Sequence, residues 1–375
     1  LFRSFGYKAA AACFNPTHPE AKAWIADALH ETHEELENWS DDNGGWLEAP
    51  HYAMVSFDAL LGIAVMAHNA GLGGDLFHPK MKKVMEWFAK ISTPPDSRFE
   101  GFRHLPPIGN TYMIEPSGEF GIIARLWREK DPKFAKQMQW MFRQQRSCST
   151  PGIGGGYPSL AGYRTFLLDP SLPEEVPSYG SELFPETGAI LRTGFPGPRE
   201  TWLHMIAGRH RSHYDYDSGS ITFWGKGRIL CEDFGYYGRA PAEDHNMVTS
   251  ATASADRMSI EAFAAAPRAD YVAGVKEAWR RQVLFVKDTD PLGANYAVLC
   301  DTLNAPDPAA KWRLWTTSEA LELEKHSVEV TGIEDVDMDV HFALPAMPAL
   351  KKERISRTSG GLLPDGKWVM GSSSQ

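Results

Sequence analysis

The densest run of chemically capable side chains is Gly208-Arg-His-Arg-Ser-His-Tyr-Asp-Tyr-Asp-Ser-Gly-Ser-Ile221. Arg209, His210, Arg211, His213, Asp215 and Asp217 all fall inside it. Residues two apart on a strand share a face, so a strand here would align His213, Asp215 and Asp217, with Arg209 and Arg211 upstream. Asp233, in Cys231-Glu-Asp-Phe-Gly235, and His245, in Asp244-His-Asn246, add a carboxylate and an imidazole further on. Carboxylates and imidazoles brought together across strands bind a divalent metal. The same run reads equally as a solvated hairpin with surface ion pairs.

These residues need elements to hold them. Five apolar sets recur at helical spacing: Trp24 to Leu36, Phe57 to His68, Met81 to Ile91, Phe120 to Trp127 and Phe134 to Phe142. Breakers such as Pro151-Gly-Ile-Gly-Gly-Gly156 mark a change of texture. Short β-like runs then follow: 189–192, 202–207, 221–224, 229–232, 271–275, 282–286, 296–300 and 312–315. Helices first and strands second predict an α+β multidomain chain with a boundary between 175 and 187. No GxGxxG follows a strand, so a dinucleotide fold is not expected.

Composition narrows the classes. The chain has 375 residues, 43% hydrophobic and 23% charged, which excludes a disordered chain and a disulfide-stapled miniprotein. Net charge is 38 − 48 = −10, which disfavours nucleic acid as a partner. No apolar run of about 18 residues stands out as a membrane span. The four cysteines, Cys13, Cys148, Cys231 and Cys300, lie far apart and read as small core residues. The chain opens on Leu1 without a basic, then apolar, leader, so a processed or truncated chain is expected.

Several motifs together resemble the heparinase II/III-like polysaccharide lyases. His213-x-Asp-x-Asp-x-Gly-Ser220, Glu232-Asp-Phe-Gly235 and His245-Asn246 resemble that family's H-x-H-x-D-x-G-S, D-x-G and H-N. Gly188-Ala-Ile-Leu-Arg-Thr-Gly194 resembles the strand opening its β domain. Gly44-Gly-Trp-Leu-Glu-Ala-Pro-His-Tyr52, His104-Leu-Pro-Pro-Ile-Gly-Asn110 and Leu168-Asp-Pro170 resemble its helical-half motifs in the same order. The resemblance implies an incomplete (α/α) toroid over residues 1–180, lacking N-terminal helices, and an antiparallel β-sandwich over 181–375. It also implies a secreted or periplasmic enzyme that cuts an acidic, uronate-containing polysaccharide or oligosaccharide by β-elimination.

That reaction removes a proton α to a carboxylate, so the carboxylate must be neutralised and a base and an acid supplied. The resemblance makes His213 a catalytic imidazole from the β half. Glu48, His51 and Tyr52 fall where the family carries its neutralising residue; Glu48 and Tyr52 read equally as residues that cap or pack a helix. Tyr112 stands nearest the expected position of the family's general acid, and reads nearly as well as a core or loop tyrosine. Asn110 replaces the usual Asp of its loop and could bind the substrate carboxylate. Arg211 offers a two-pronged fork for a carboxylate or sulfate, or a surface ion pair. Trp46, Trp202, Tyr214 and Tyr236 adjoin the motifs as candidate sugar-stacking rings, or as core. The metal ligands carried over are Asp215, Asp233 and His245, for a structural Zn²⁺; Asp in place of the usual His at 215 moves the preference toward Mn²⁺ or Ca²⁺. A glycoside hydrolase pairing Glu48 with Asp58 or Glu100, and a glycan-binding protein without turnover, are the alternatives.

Overall fold

The computed structural model describes residues 2–73, 76–117, 119–145, 167–209, 212–236, 240–250, 257–288, 290–345, 348–353, 358–362 and 368–372. Among the described residues of the first half lie six α-helices: α1 (Phe2–Phe14), α2 (Ala21–Trp39), α3 (Pro50–Asn69), α4 (Pro79–Ile91), α5 (Glu119–Trp127) and α6 (Pro132–Gln144). The periodicity finds all but α1, whose buried apolar residues are the alanines Ala9 and Ala12. Alanine favours helix but writes no large-residue stripe. Proline occupies the first turn of α3, α4 and α6, where its missing N–H costs nothing. His78 and Asp131 cap α4 and α6 by accepting from the Lys80 and Phe134 N–H groups.

Helix α3 is the axis of the helical half. Ala53, Phe57, Leu60, Leu61 and Ala64 on it are buried against Met81, Met85 and Phe88 of α4 and Phe120 of α5. It is long and apolar enough to cross a membrane by length and composition, which corrects the reading that no run qualifies. Its apolarity is accounted for by burial on most sides.

Strands β1 (Glu182–Phe184), β2 (Gly188–Thr193), β3 (Thr201–Ile206), β4 (Ile221–Gly225) and β5 (Arg228–Cys231) pair antiparallel in chain order. In register, Arg192 faces Trp202, and Trp202 faces Trp224. Ile190, Trp202 and Trp224 on this face join the helical core. Ala189, Leu191, Leu203, Met205 and Ile221 on the other face pack with Val272, Val283 and Phe285. Those last residues belong to a second antiparallel sheet, β7 (Ser259–Ala265), β8 (Ala269–Lys276), β9 (Trp279–Val286) and β10 (Tyr296–Leu303). The first sheet is therefore a shared layer, buried on both faces. Helices and strands are not two independent cores.

The short pair β6 (Val248–Thr249) and β11 (Lys311–Trp312), the three-stranded β12 (Ser318–Leu323), β13 (Ser327–Gly332) and β14 (Met338–His341), and the hairpin β15 (Thr358–Leu362) and β16 (Trp368–Ser372) complete the described strands. The expected strand 312–315 ends at Trp312; the Trp315 N–H donates to the Asn246 side chain instead of a ladder. Of the described cysteines only Cys231 is buried; Cys13 is half-buried and Cys300 exposed, and Cys148 lies outside the described residues.

Candidate active site

The segment between β3 and β4 is not the strand its spacing suggests. Its described residues form turns and irregular backbone, with Gly208 and Gly219 at positive φ and His213 itself at φ 66°. A left-handed histidine is strained, and such strain persists where surroundings fix it. Here two glycines do so. Gly109 sits where a Cβ would lie 2.5 Å from the His213 carbonyl, and this close approach lets the Asn110 N–H donate to that carbonyl at 2.8 Å. Gly235, at φ 69°, also passes close to the Thr111 carbonyl, where a Cβ would lie at 2.9 Å, and that carbonyl accepts the Tyr236 N–H at 2.8 Å. Thr111 Oγ1 in turn accepts the His51 N–H at 3.2 Å, satisfying a donor that the start of α3 leaves open. Tyr214 packs with Ala49, Ile108 and Ile206 directly beneath.

The backbone crossing brings side chains from both halves together. His213 Nδ1 lies 3.1 Å from Glu48 Oε1, and the other Glu48 oxygen accepts from Ser56. The His213 ring lies flat on Tyr52, with centroids 3.5 Å apart and planes 7° apart. The Tyr52 hydroxyl meets the Tyr236 hydroxyl at 2.8 Å. Tyr236 stacks on Tyr112 at 4.7 Å. His51 stands edge-on to Tyr52 and Tyr112, at 4.9 and 5.1 Å. Its Nδ1 contacts Glu115 Oε1 at 2.5 Å, and the other Glu115 oxygen accepts the Tyr112 N–H. The site thus has two carboxylate–imidazole arms, Glu48–His213 and Glu115–His51, joined by three phenols. His213, with 34% of its side chain exposed, is the open arm, whereas His51 is buried. A carboxylate on Nδ1 orients the ring and leaves Nε2 to exchange a proton.

Of the sequence candidates, Glu48, His51, Tyr52, Asn110, Tyr112 and His213 meet here. Trp46 does not: it is fully buried in the helical core and presents no ring to a sugar. Trp202 is likewise core, and burial pushes the Tyr214 phenol well above its usual range. Arg211 lies outside the described residues. The sequence offers Tyr236 as a sugar-stacking ring or as core; in the structure it stacks on Tyr112 and its hydroxyl is bonded to Tyr52. Glu115 carries no motif, and only its burial beside His51 reveals it.

Behind this site lies a second cluster. His245 Nδ1 is 2.8 Å from Asp233 Oδ2, and Asp215 Oδ1 accepts the Ala240 N–H. Asp215 Oδ2, both Asp217 carboxylate oxygens and His245 Nε2 are buried without a hydrogen-bond partner. Burial, with Asp217 and Asp233 nearby, pushes the Asp215 carboxyl up to about 8. Burial raises Asp217 to about 6, with Asp233 adding to the rise. Burial opposes charge on His245, but Asp233 outweighs it and the ring rises to about 9. Two buried carboxylates, Asp215 and Asp217, and the His245 imidazole keep open lone pairs of the kind a divalent cation would take. Asp233 is engaged on the His245 ring, so Nε2 is the ligand atom left, and Asp217, omitted from the sequence-derived set, enters the donor set. Asn246 organises the surroundings, donating to the Ile221 and Glu232 carbonyls.

No family model matches the chain, and no curated protein matches it. Solved structures do. A crystal structure of heparinase III aligns over 100% of this chain and 59% of its own, at TM-score 0.68 and 15% identity. A heparinase III gene product aligns over 96% of this chain and 54% of its own, at TM-score 0.66 and 18% identity. Heparan sulfate lyase HepC from Pedobacter heparinus aligns over 88% of this chain and 50% of its own, at TM-score 0.59 and 15% identity. The chain has the heparinase III fold and spans between half and three-fifths of the length of these structures.

Proposed function

We propose that this chain is a polysaccharide lyase that cleaves an acidic, uronate-containing glycan by β-elimination. One observation carries the reading: His213 of the β half is held by Glu48 and stacked on Tyr52 of the helical half, with Tyr236 hydrogen-bonded to Tyr52. The shared fold with heparin and heparan sulfate lyases supports it.

His213 Nε2 takes the proton α to the uronate carboxylate, with Glu48 fixing the ring and stabilising its charge. Tyr112 delivers a proton to the leaving glycosidic oxygen, and the Tyr112–Tyr236 stack and the Tyr236–Tyr52 bond hold the phenols in line. His51, held by Glu115, stands edge-on to Tyr112 and helps fix that ring. The Asn110 amide and Arg211 bind and neutralise the substrate carboxylate, lowering the cost of the enediolate. In this reading the helices are part of an (α/α) toroid, the sheets are a β-sandwich from about residue 181, and the enzyme works outside the cytoplasm. Asp215, Asp217 and His245 would hold a structural divalent metal, Zn²⁺ or a harder ion, with Asp233 orienting the His245 ring, and so would fix the loop carrying His213.

The hydrolase alternative gains no support. Asp58 is buried on α3, and Glu48 is engaged by His213 and Ser56. Incubation with alginate, heparan-type, hyaluronan-like and ulvan-type polysaccharides decides the class. New ultraviolet absorbance from a C4–C5 double bond is expected with at least one of them. New reducing ends without that absorbance would mean hydrolysis and overturn the proposal; binding without turnover would make it a glycan-binding protein.

A further inference from the structure

In the helical half, two imidazoles and a carboxylate converge on the α2–α4 contact. His33 and Glu37 lie one turn apart on one face of α2. His78 stands at the start of α4 and faces them. The three offer one ligand atom each, all within 4.8 Å of one another. The His33 and His78 rings meet edge-on at 5.1 Å, and His78 Nε2 lies 4.0 Å from Glu37 Oε1. We propose that His33, Glu37 and His78 form a binding site for a borderline transition-metal dication such as Zn²⁺, which staples α2 to α4. Two imidazoles and one carboxylate suit zinc, cobalt or nickel rather than calcium or magnesium.

Among the described contacts, two groups stand in competition with the ion, and both have somewhere to go. Lys80 Nζ lies 3.0 Å from Glu37 Oε2, and its hydrogen bond holds the Glu37 carboxyl below its ordinary range. The same ammonium also reaches the Glu37 and Ser40 carbonyls, both at 3.3 Å, so it keeps partners when the carboxylate turns to a metal. His78 Nδ1 accepts the Lys80 N–H at 3.2 Å as the cap of α4. Metal binding through Nε2 moves the ring proton to Nδ1 and gives up that cap, whose loss the metal–nitrogen bond offsets. The staple sits at the root of the loop that leaves α2 and delivers Glu48. Lys83 of α4 donates to the Asp42 carbonyl of that loop, and Gly44 lies against the Lys83 carbonyl.

The test is titration of the intact, metal-stripped chain with Zn²⁺ by calorimetry, with Co²⁺ absorption as a second readout. One equivalent is expected to be lost in His33→Ala and in His78→Asn. Asparagine keeps a side-chain cap for α4, so helix content should be retained by circular dichroism. Lys80→Gln removes the competing ammonium and should tighten that equivalent by about tenfold. Zinc should raise the Tm of the wild-type chain and of His245→Gln, but by less in His78→Asn. Because His245→Gln alters only the Asp215–Asp217–Asp233–His245 cluster, it separates the two sites. A wild-type chain that takes up no zinc at the His33–Glu37–His78 group, seen as unchanged stoichiometry and affinity in both His33→Ala and His78→Asn, would overturn the proposal.

Discussion

The helical and β halves meet at two polar junctions of opposite character. At one, charges are mostly buried and paired ion to ion. Arg103 and Arg192 flank Glu200 at 2.8 and 2.6 Å, all three buried. Beside them Arg98 bridges Asp96 and Glu232, and His104 contacts Asp96 at 3.0 Å. Burial opposes the Asp96 charge, yet Arg98 and His104 hold that carboxyl well below its usual range. At the other junction no Arg or Lys is among the described contacts. Carboxylates pair with imidazoles, phenols share a proton, and His213 remains open. The difference teaches which contact is mortar and which can do work: a junction whose charges cancel resists change, while one built from imidazoles and phenols, with one ring left open, has the groups that acid–base catalysis uses.

Substitutions should separate the two. The largest effect is expected from Glu200→Gln, which strands two buried guanidinium groups. Urea unfolding should show a loss of about 3–5 kcal/mol, while kcat of the protein that stays folded is unchanged. Equal loss of kcat would break the comparison. Glu48→Gln should do the reverse. It is expected to cost about 10–100-fold in kcat, as orienting partners of a working imidazole do, with little change in the urea midpoint. Tyr236→Phe should lower kcat by a smaller factor than Tyr112→Phe, because it removes a bond that holds a phenol rather than the donor itself.

The smallest effect is in pH dependence. His204 on β3 faces the helices, and burial pushes its imidazole down to about 3. The unfolded chain takes up that proton near 6.5. Folded stability should therefore be full above pH 6.5 and fall as pH drops toward 3, by roughly 1.4 kcal/mol per pH unit for this one group. His204→Gln should flatten that limb in urea unfolding at pH 7 and pH 5. An unchanged slope would show that the mortar side does not set acid stability.

Much of the frame was legible in the sequence because its signals are periodic. Apolar stripes marked α2 to α6, and short apolar runs marked β2 to β5 and β8 to β10. The shared core was not legible, since nothing in the Trp202 and Trp224 spacing says that one sheet face meets helices. The site was half legible. Residue types identified His213, Glu48, Tyr52 and the Asp215–Asp233–His245 group. Period-two reasoning failed at 209–217, where positive-φ residues turn the chain and the facing of each side chain depends on Gly109 and Gly235 far away in sequence. Trp46 was misplaced because an aromatic beside a motif carries no mark of which way it points. Glu115 was invisible, because a buried carboxylate paired across the fold looks in sequence like any surface acid.

The account rests on His213 acting on substrate across the boundary between the halves. The direct test is the rate of double-bond absorbance for His213→Ala on a polysaccharide that the wild-type chain cleaves, with circular dichroism and Tm measured alongside. A fall of about 10³-fold in a normally folded variant is expected, in the range of a lost general base. A normally folded His213→Ala that cleaves at the wild-type rate would contradict it.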